Sequence, residues 1–251
     1  AIGTLICQIA MAVALVWVLW RRTHGLDLSL VPHWGGIASS LRDGIPLLIR
    51  TLALRAALYV TTWVAARAGA ITMAAYQVTM TIWNLLLMTM DALGIAGQAL
   101  TGASLGAGDI RRTRLLTGTM TRWGVWAGVV IGALLAASHQ LVPAIYTNDP
   151  AVHRAVAAGL LVVAVEQVIA GPAFILDGVL IGAGDGRWLS RAQVVMFLVY
   201  LPMAWAVHLW APADPAAAVV WLWIAFGGFM AVRCGILAWR AHGDAWMRTG
   251  A

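Results

Sequence analysis

Apolar positions dominate seven runs of this chain: residues 2–20, 44–66, 72–105, 113–137, 152–182, 189–210 and 216–240. Crossing a bilayer as an α-helix takes about 20 apolar residues, so each run predicts a transmembrane helix. The runs lack the period-two alternation of a membrane barrel. Two of them exceed what a bilayer needs: at 1.5 Å per residue, 72–105 extends roughly 50 Å. Such helices must tilt, bend or project into water. Gly94, Gly97 and Gly102 in one long run, Gly171-Pro172 in the other, and Pro202 in 189–210 are the expected bends. The longest polar break, 21–43, carries Arg21, Arg22, His24, Asp27, Pro32, His33 and Arg42, and is the expected boundary between two modules. The first run has neither an initial Met nor the positive flank of a signal peptide. It reads as a true helix cut from something longer.

Composition agrees with the pattern. The 251 residues are 62% hydrophobic and 10% charged, against about a quarter charged in ordinary soluble domains. All sixteen basic residues are Arg. Without a lysine amine, a retinal-type Schiff base is excluded. The Arg residues mostly flank the apolar runs, so the net charge of +6 is an orientation signal and not a nucleic-acid footprint. Arg21, Arg22, Arg42, Arg111, Arg112, Arg114, Arg187, Arg191, Arg240 and Arg248 fall in one set of alternating loops, and only Arg67 and Arg154 in the other. The first set and the C-terminus are expected in the cytoplasm. Cys7 and Cys234 lie inside apolar runs and give no disulfide framework.

One internal echo stands out. Met90-Asp91-Ala92-Leu93-Gly94 leads to Leu105-Gly106-Ala107-Gly108-Asp109, and Leu176-Asp177-Gly178-Val179 leads to Ile181-Gly182-Ala183-Gly184-Asp185. Both place an intramembrane Asp before a Gly-Ala-Gly-Asp turn with Arg following. Either a repeat, as transporters often contain, or a shared turn solution accounts for this.

Met73-Ala74-Ala75-Tyr76-Gln77-Val78, Trp83, Asp91-Ala92-Leu93, Ala99-Leu100-Thr101-Gly102 and the turn to Asp109 resemble the second helix of the C-terminal lobe of MATE (multidrug and toxic compound extrusion) transporters, most closely the DinF-type branch. Leu176 to Asp185 is similar to the end of that family's tenth helix, and Arg50-Thr51-Leu52-Ala53-Leu54-Arg55 to the start of its seventh. The resemblance implies an all-α membrane protein of seven transmembrane helices. Residues 1–24 would be the last helix of an N-lobe, 25–43 a cytoplasmic inter-lobe linker, 44–242 a six-helix C-lobe and 243–251 a cytoplasmic tail. It implies a multi-pass protein of the bacterial inner membrane, a secondary antiporter exporting cationic or amphipathic drugs in exchange for protons or sodium. No other cofactor is implied; the partners would be the bilayer, a small-molecule substrate and the missing N-terminal lobe. The DinF-type proton-carrying Asp belongs to that missing lobe, and the NorM-type branch has a Glu in the seventh helix where this sequence has Arg50 and Arg55. A neighbouring alternative is a flippase of the same superfamily moving a lipid-linked sugar.

Ionisable groups inside a membrane are functional candidates by default. Asp91, Asp177 and Glu166 (the sole Glu) are the candidate ion- or proton-coupling residues. For Asp91 the alternative is a structural bond to Arg50 or Arg55; for Asp177, pairing with an Arg such as Arg187. Gln77 and Asn84 are seven apart, hence on one helix face. With Arg50 and Arg55 they are the substrate-cavity candidates, although helix-to-helix bonding is the commoner use of intramembrane amides. The rival reading is an intramembrane serine protease: Gly102-Ala103-Ser104-Leu105-Gly106 matches G-x-S-x-G, with His139 or His208 as base. The six His form no metal-ligand pattern, and no nucleotide loop is present.

Overall fold

The computed structural model describes residues 2–23 and 34–247. They form eight helices: α1 (Ile2–Thr23), α2 (Trp34–Arg67), α3 (Ala70–Gly106), α4 (Ile110–Ser138), α5 (Val142–Tyr146), α6 (Pro150–Gly182), α7 (Gly186–Trp210) and α8 (Pro215–His242). All but the five-residue α5 are long and apolar enough to span a bilayer. Among the described residues there is no strand. The chain divides into two compact units, Ala1–Leu41 and Arg42–Ala251.

The helices outrun the apolar runs because their caps are polar. Asp109 accepts the Arg112 amide at 2.8 Å, Asp149 the Ala151 amide at 2.8 Å, and Asp214 the Ala217 amide at 2.9 Å. Pro150 and Pro215 follow two of these caps in the first turn, where a missing N–H costs nothing. Part of the polar connector predicted at 25–43 is helix, since α2 begins at Trp34; the remainder, 25–33, lies outside the described residues. Of the predicted tail, residues 243–247 turn back, and Trp246 and Met247 are buried.

In the first unit, α1 is exposed along its described side chains and apolar on all sides, as a helix destined for lipid or protein must be. In the second unit α6 is the central helix, packed against α3, α4 and α8. Glycine makes these approaches close. Gly124, Gly128 and Gly132 form a stripe on α4 against α6: a Cβ at Gly124 would stand 2.9 Å from the Gly171 carbonyl oxygen, and one at Gly128 2.9 Å from the Gln167 carbonyl carbon. On α3, a Cβ at Gly94 would stand 2.9 Å from the Phe174 carbonyl oxygen. The same glycines are contact points, and α3 and α6 stay helical through Gly94, Gly97, Gly102 and Gly171-Pro172. Lipid tails are as apolar as side chains, so van der Waals contact between such small surfaces holds membrane helices together.

The Gly-Ala-Gly-Asp echo is one turn used twice. Gly108 and Gly184 take φ of 76° and 75°, the left-handed region open to glycine. The Asp109 amide donates to the Ser104 carbonyl and the Asp185 amide to the Leu180 carbonyl, each at 3.0 Å. This is the six-to-one bond of a Schellman helix end. Ion pairs tie this end of the lobe together: Arg240 in the last turn of α8 to Asp185 of the second turn at 2.7 Å, and Arg114 in α4 to Asp244 after α8.

Candidate functional site

Helix α3 presents two faces. Its inner face buries Tyr76, Thr79, Trp83, Met90, Gly94, Gly97 and Thr101. Its outer face carries Gln77, Asn84, Asp91 and Gln98, all exposed and each seven residues from the next. Seven residues are almost two turns, so these four form one stripe, about 32 Å long at 1.5 Å per residue. The Asn84 amide donates to the Met80 carbonyl at 2.9 Å and Thr81 to the Gln77 carbonyl at 2.9 Å. Their only described bonds are thus to their own helix. A stripe of amides and a carboxylate at bilayer depth is costly against lipid; it fits a water-lined surface.

Charged groups gather beside the stripe. Asp177 on α6 receives two guanidinium groups, Arg50 from α2 and Arg233 from α8, the latter at 3.1 Å. Arg233 is 1% exposed and its guanidinium lies 4.9 Å from the centre of the Phe174 ring. Asp91 acts electrostatically on both arginines but makes no hydrogen bond or direct ion pair among the described residues. Two acids and two arginines therefore form one intramembrane cluster, with Asp177 clamped and Asp91 open. The partner of Arg50 is Asp177 and not Asp91. Arg55 is exposed and stands outside this cluster.

Glu166 lies elsewhere, in the interior at 2% exposure. Its Oε1 accepts the Trp83 indole N–H at 3.0 Å; its Oε2 is buried without a hydrogen-bond partner. Sequence reasoning thus grouped three acids that the fold puts in three settings: paired, exposed and enclosed.

The serine-protease constellation is not assembled. Ser104 is buried near the α3–α4 turn, where its hydroxyl lies 2.7 Å from that of Thr113. His139 follows the other end of α4, with its ring against the Ala136 carbonyl. His208 sits near the C-terminus of α7, its ring tilted against those of Trp63 and Trp205. Both histidines are a helix length away from Ser104. Among the described residues, no three His, Cys, Asp or Glu side chains gather as a metal site.

Residues 46–206 match the protein family MatE. The chain belongs to the MatE family. It is 31% identical over 235 residues to the protein DETOXIFICATION 45, chloroplastic, of Arabidopsis thaliana, covering 93% of this chain and 40% of that protein. To the probable multidrug resistance protein NorM of Xanthomonas campestris it is 29% identical over 201 residues, covering 74% of this chain and 41% of that one. The crystal structure of MATE in complex with MaL6 has the same fold, with TM-score 0.75 at 16% identity over 93% of this chain and 55% of that chain. The outward-facing structure of a multidrug resistance MATE family transporter gives TM-score 0.69 at 15% identity, over 79% of this chain and 43% of that chain. The chain spans about two-fifths of the length of the curated relatives it matches.

MatE proteins are membrane transporters and not enzymes, which sets aside the protease reading on grounds independent of Ser104. The matched range contains Asp91, Glu166 and Asp177 but ends before Arg233. Sequence reasoning missed Arg233, although a lone Arg between Val232 and Cys234 inside an apolar run was the signal to follow. It also missed Trp83 as the donor to Glu166, since aromatic residues in apolar runs read as packing.

Proposed function

We propose that this chain is the C-terminal lobe, preceded by the last helix of the N-terminal lobe, of a DinF-type MATE antiporter. The transporter exports cationic or amphipathic compounds from the cytoplasm in exchange for protons. One observation carries the reading: an exposed polar stripe, Gln77 to Gln98, runs along α3 at bilayer depth with Asp91 in its lower half. That surface has water or a polar ligand opposite it in the working protein, and Asp91 supplies the negative charge that draws a cationic solute. The limited span of the chain relative to its relatives supports the assignment to one lobe of two. The alternating arginine bias supports a cytoplasmic C-terminus, and the likeness to the NorM protein of Xanthomonas campestris supports insertion in a bacterial inner membrane.

The test is dye efflux from everted vesicles containing the two-lobe protein. Asp91→Asn and Asn84→Leu should each lower efflux of a cationic dye while leaving the amount of inserted protein unchanged. Unaltered efflux in both variants would remove the α3 stripe from the substrate path. Efflux driven equally by a proton gradient and by a sodium gradient would remove the proton as the specific coupling ion.

A further inference from the structure

Glu166 sits within the bundle, not on the α3 stripe, and its surroundings are aromatic. The ring of its donor Trp83 packs 5.2 Å from Phe226 and 6.4 Å from Trp223, and Tyr200 packs 6.3 Å from Phe226. The ionisable groups in this cluster are the phenols of Tyr76 on α3, whose ring lies 6.1 Å from that of Trp223, and of Tyr200 on α7. Helix α8 contributes Trp223 and Phe226, and α4 meets the α6 backbone on either side of Glu166 with the glycines Gly128 and Gly132. None of these carries a charge. An ionised carboxylate would leave Oε2 buried with no donor and no counter-ion, which is far costlier than a neutral acid. A hard metal cation requires a shell of several oxygens, and among the described residues no group of three His, Cys, Asp or Glu side chains gathers here.

Two hydroxyl pairs join the aromatic cluster to α2. The Tyr200 hydroxyl lies 2.6 Å from that of Thr61, and the Tyr76 hydroxyl 3.2 Å from that of Thr62. Thr61 and Thr62 are consecutive on α2. One turn further along α2, Val64 and Ala65 border a cavity of about 230 Å³ that Arg67, Thr72 and His208 also line. This cavity lies at the end of the lobe opposite the two Gly-Ala-Gly-Asp turns.

We propose that Glu166 is a proton-binding site enclosed within the lobe. It is loaded through the Arg67–Thr72–His208 cavity along the Tyr200–Thr61 and Tyr76–Thr62 hydroxyl pairs, and it is separate from the polar stripe on α3. Loading forms the Oε2–H bond and removes one negative charge; unloading returns the proton to water in the cavity. The role of the site in antiport rests on the function proposed above, whereas proton binding itself does not.

Infrared difference spectroscopy of the chain in lipid nanodiscs, over a pH titration, reads the site directly. The C=O stretch of a buried carboxylic acid is expected in the wild type and in Asp91→Asn, and is lost in Glu166→Gln. The Thr61→Val/Tyr200→Phe double variant should keep the band but slow its shift on transfer to D₂O severalfold. A band that survives Glu166→Gln overturns the site. An unchanged D₂O response in the double variant overturns the route, and disappearance of the band on adding sodium at constant pH overturns the proton as ligand. Should Glu166→Gln not fold, Trp83→Phe must move the band, because it removes the donor to Oε1; an unmoved band overturns the assignment. Dye binding to Asn84→Leu, read separately, tests the transport reading without touching the Glu166 band.

Discussion

Arg233 on α8 donates to Asp177 on α6 at 3.1 Å, deep in the lobe, and Arg50 reaches the same carboxylate oxygen from α2. One acid thus ties three helices at a depth where no bulk water compensates for a lost partner. Removing one member of a buried pair is far more damaging than never having built it, at about 3–5 kcal/mol. Asp177→Ala, which strands two guanidinium groups, should therefore destabilise the lobe by roughly that amount. Arg233→Met in the Asp177→Ala background should recover part of the loss. Thermal unfolding in detergent, run as a double-mutant cycle, checks both statements; equal melting temperatures for all variants would deny the clamp.

The α4 stripe makes an equally local prediction. A Cβ on Gly128 would stand 2.9 Å from the Gln167 carbonyl carbon and 3.0 Å from the Val168 Cα. These are backbone atoms that cannot rotate aside. Gly128→Ala should cost on the order of 1–3 kcal/mol through overpacking. Gly118→Ala, on the same helix with no atom within 4 Å, should be neutral or stabilising by up to about 1 kcal/mol. Measuring the two side by side separates packing from helix propensity.

Gln77 and Asn84 bond only to their own helix among the described residues, so their removal should leave stability alone. Gln77→Leu and Asn84→Leu are expected to melt within about 0.5 kcal/mol of wild type, as surface substitutions do. In the two-lobe protein the same variants should raise the KM for dye efflux. A loss of stability without a change in transport would reassign both residues to helix contacts.

Trp83→Phe keeps an aromatic ring but deletes the N–H that Glu166 Oε1 accepts. A buried acceptor left without its donor costs about 1–3 kcal/mol. Introducing Glu166→Leu in the same chain, which removes the orphaned acid, should restore stability toward wild type. If Trp83→Phe alone is silent in detergent melts, the indole contributes ring packing only.

The sequence makes the seven spanning helices legible because apolar run length is a strong signal and Asp-Pro caps punctuate it at 149–150 and 214–215. Heptad spacing likewise puts Gln77 and Asn84 on one face without any coordinates. Partner choice was not legible. Asp91 and Asp177 look alike in sequence, each an acid before a Gly-rich turn, yet Asp177 is held by arginines 127 and 56 residues away. Gly94 and Gly171 read equally well as hinges or as contact points, and only the approach of a second backbone decides between them. Glu166 was visible as a lone acid, but its enclosure depends on Trp83, Tyr200 and Phe226 arriving from three other helices.

Glycines at 124, 128 and 132 recur every four residues, close to one turn of helix. Where side chains interlock, two helices have a single register. On this stripe a four-residue shift of α4, about 6 Å, would carry the side chain of Met120 or Ala136 into a glycine's place against the α6 backbone. The run of three glycines is bounded by residues with a Cβ, and its two ends fix the register of α4 on α6.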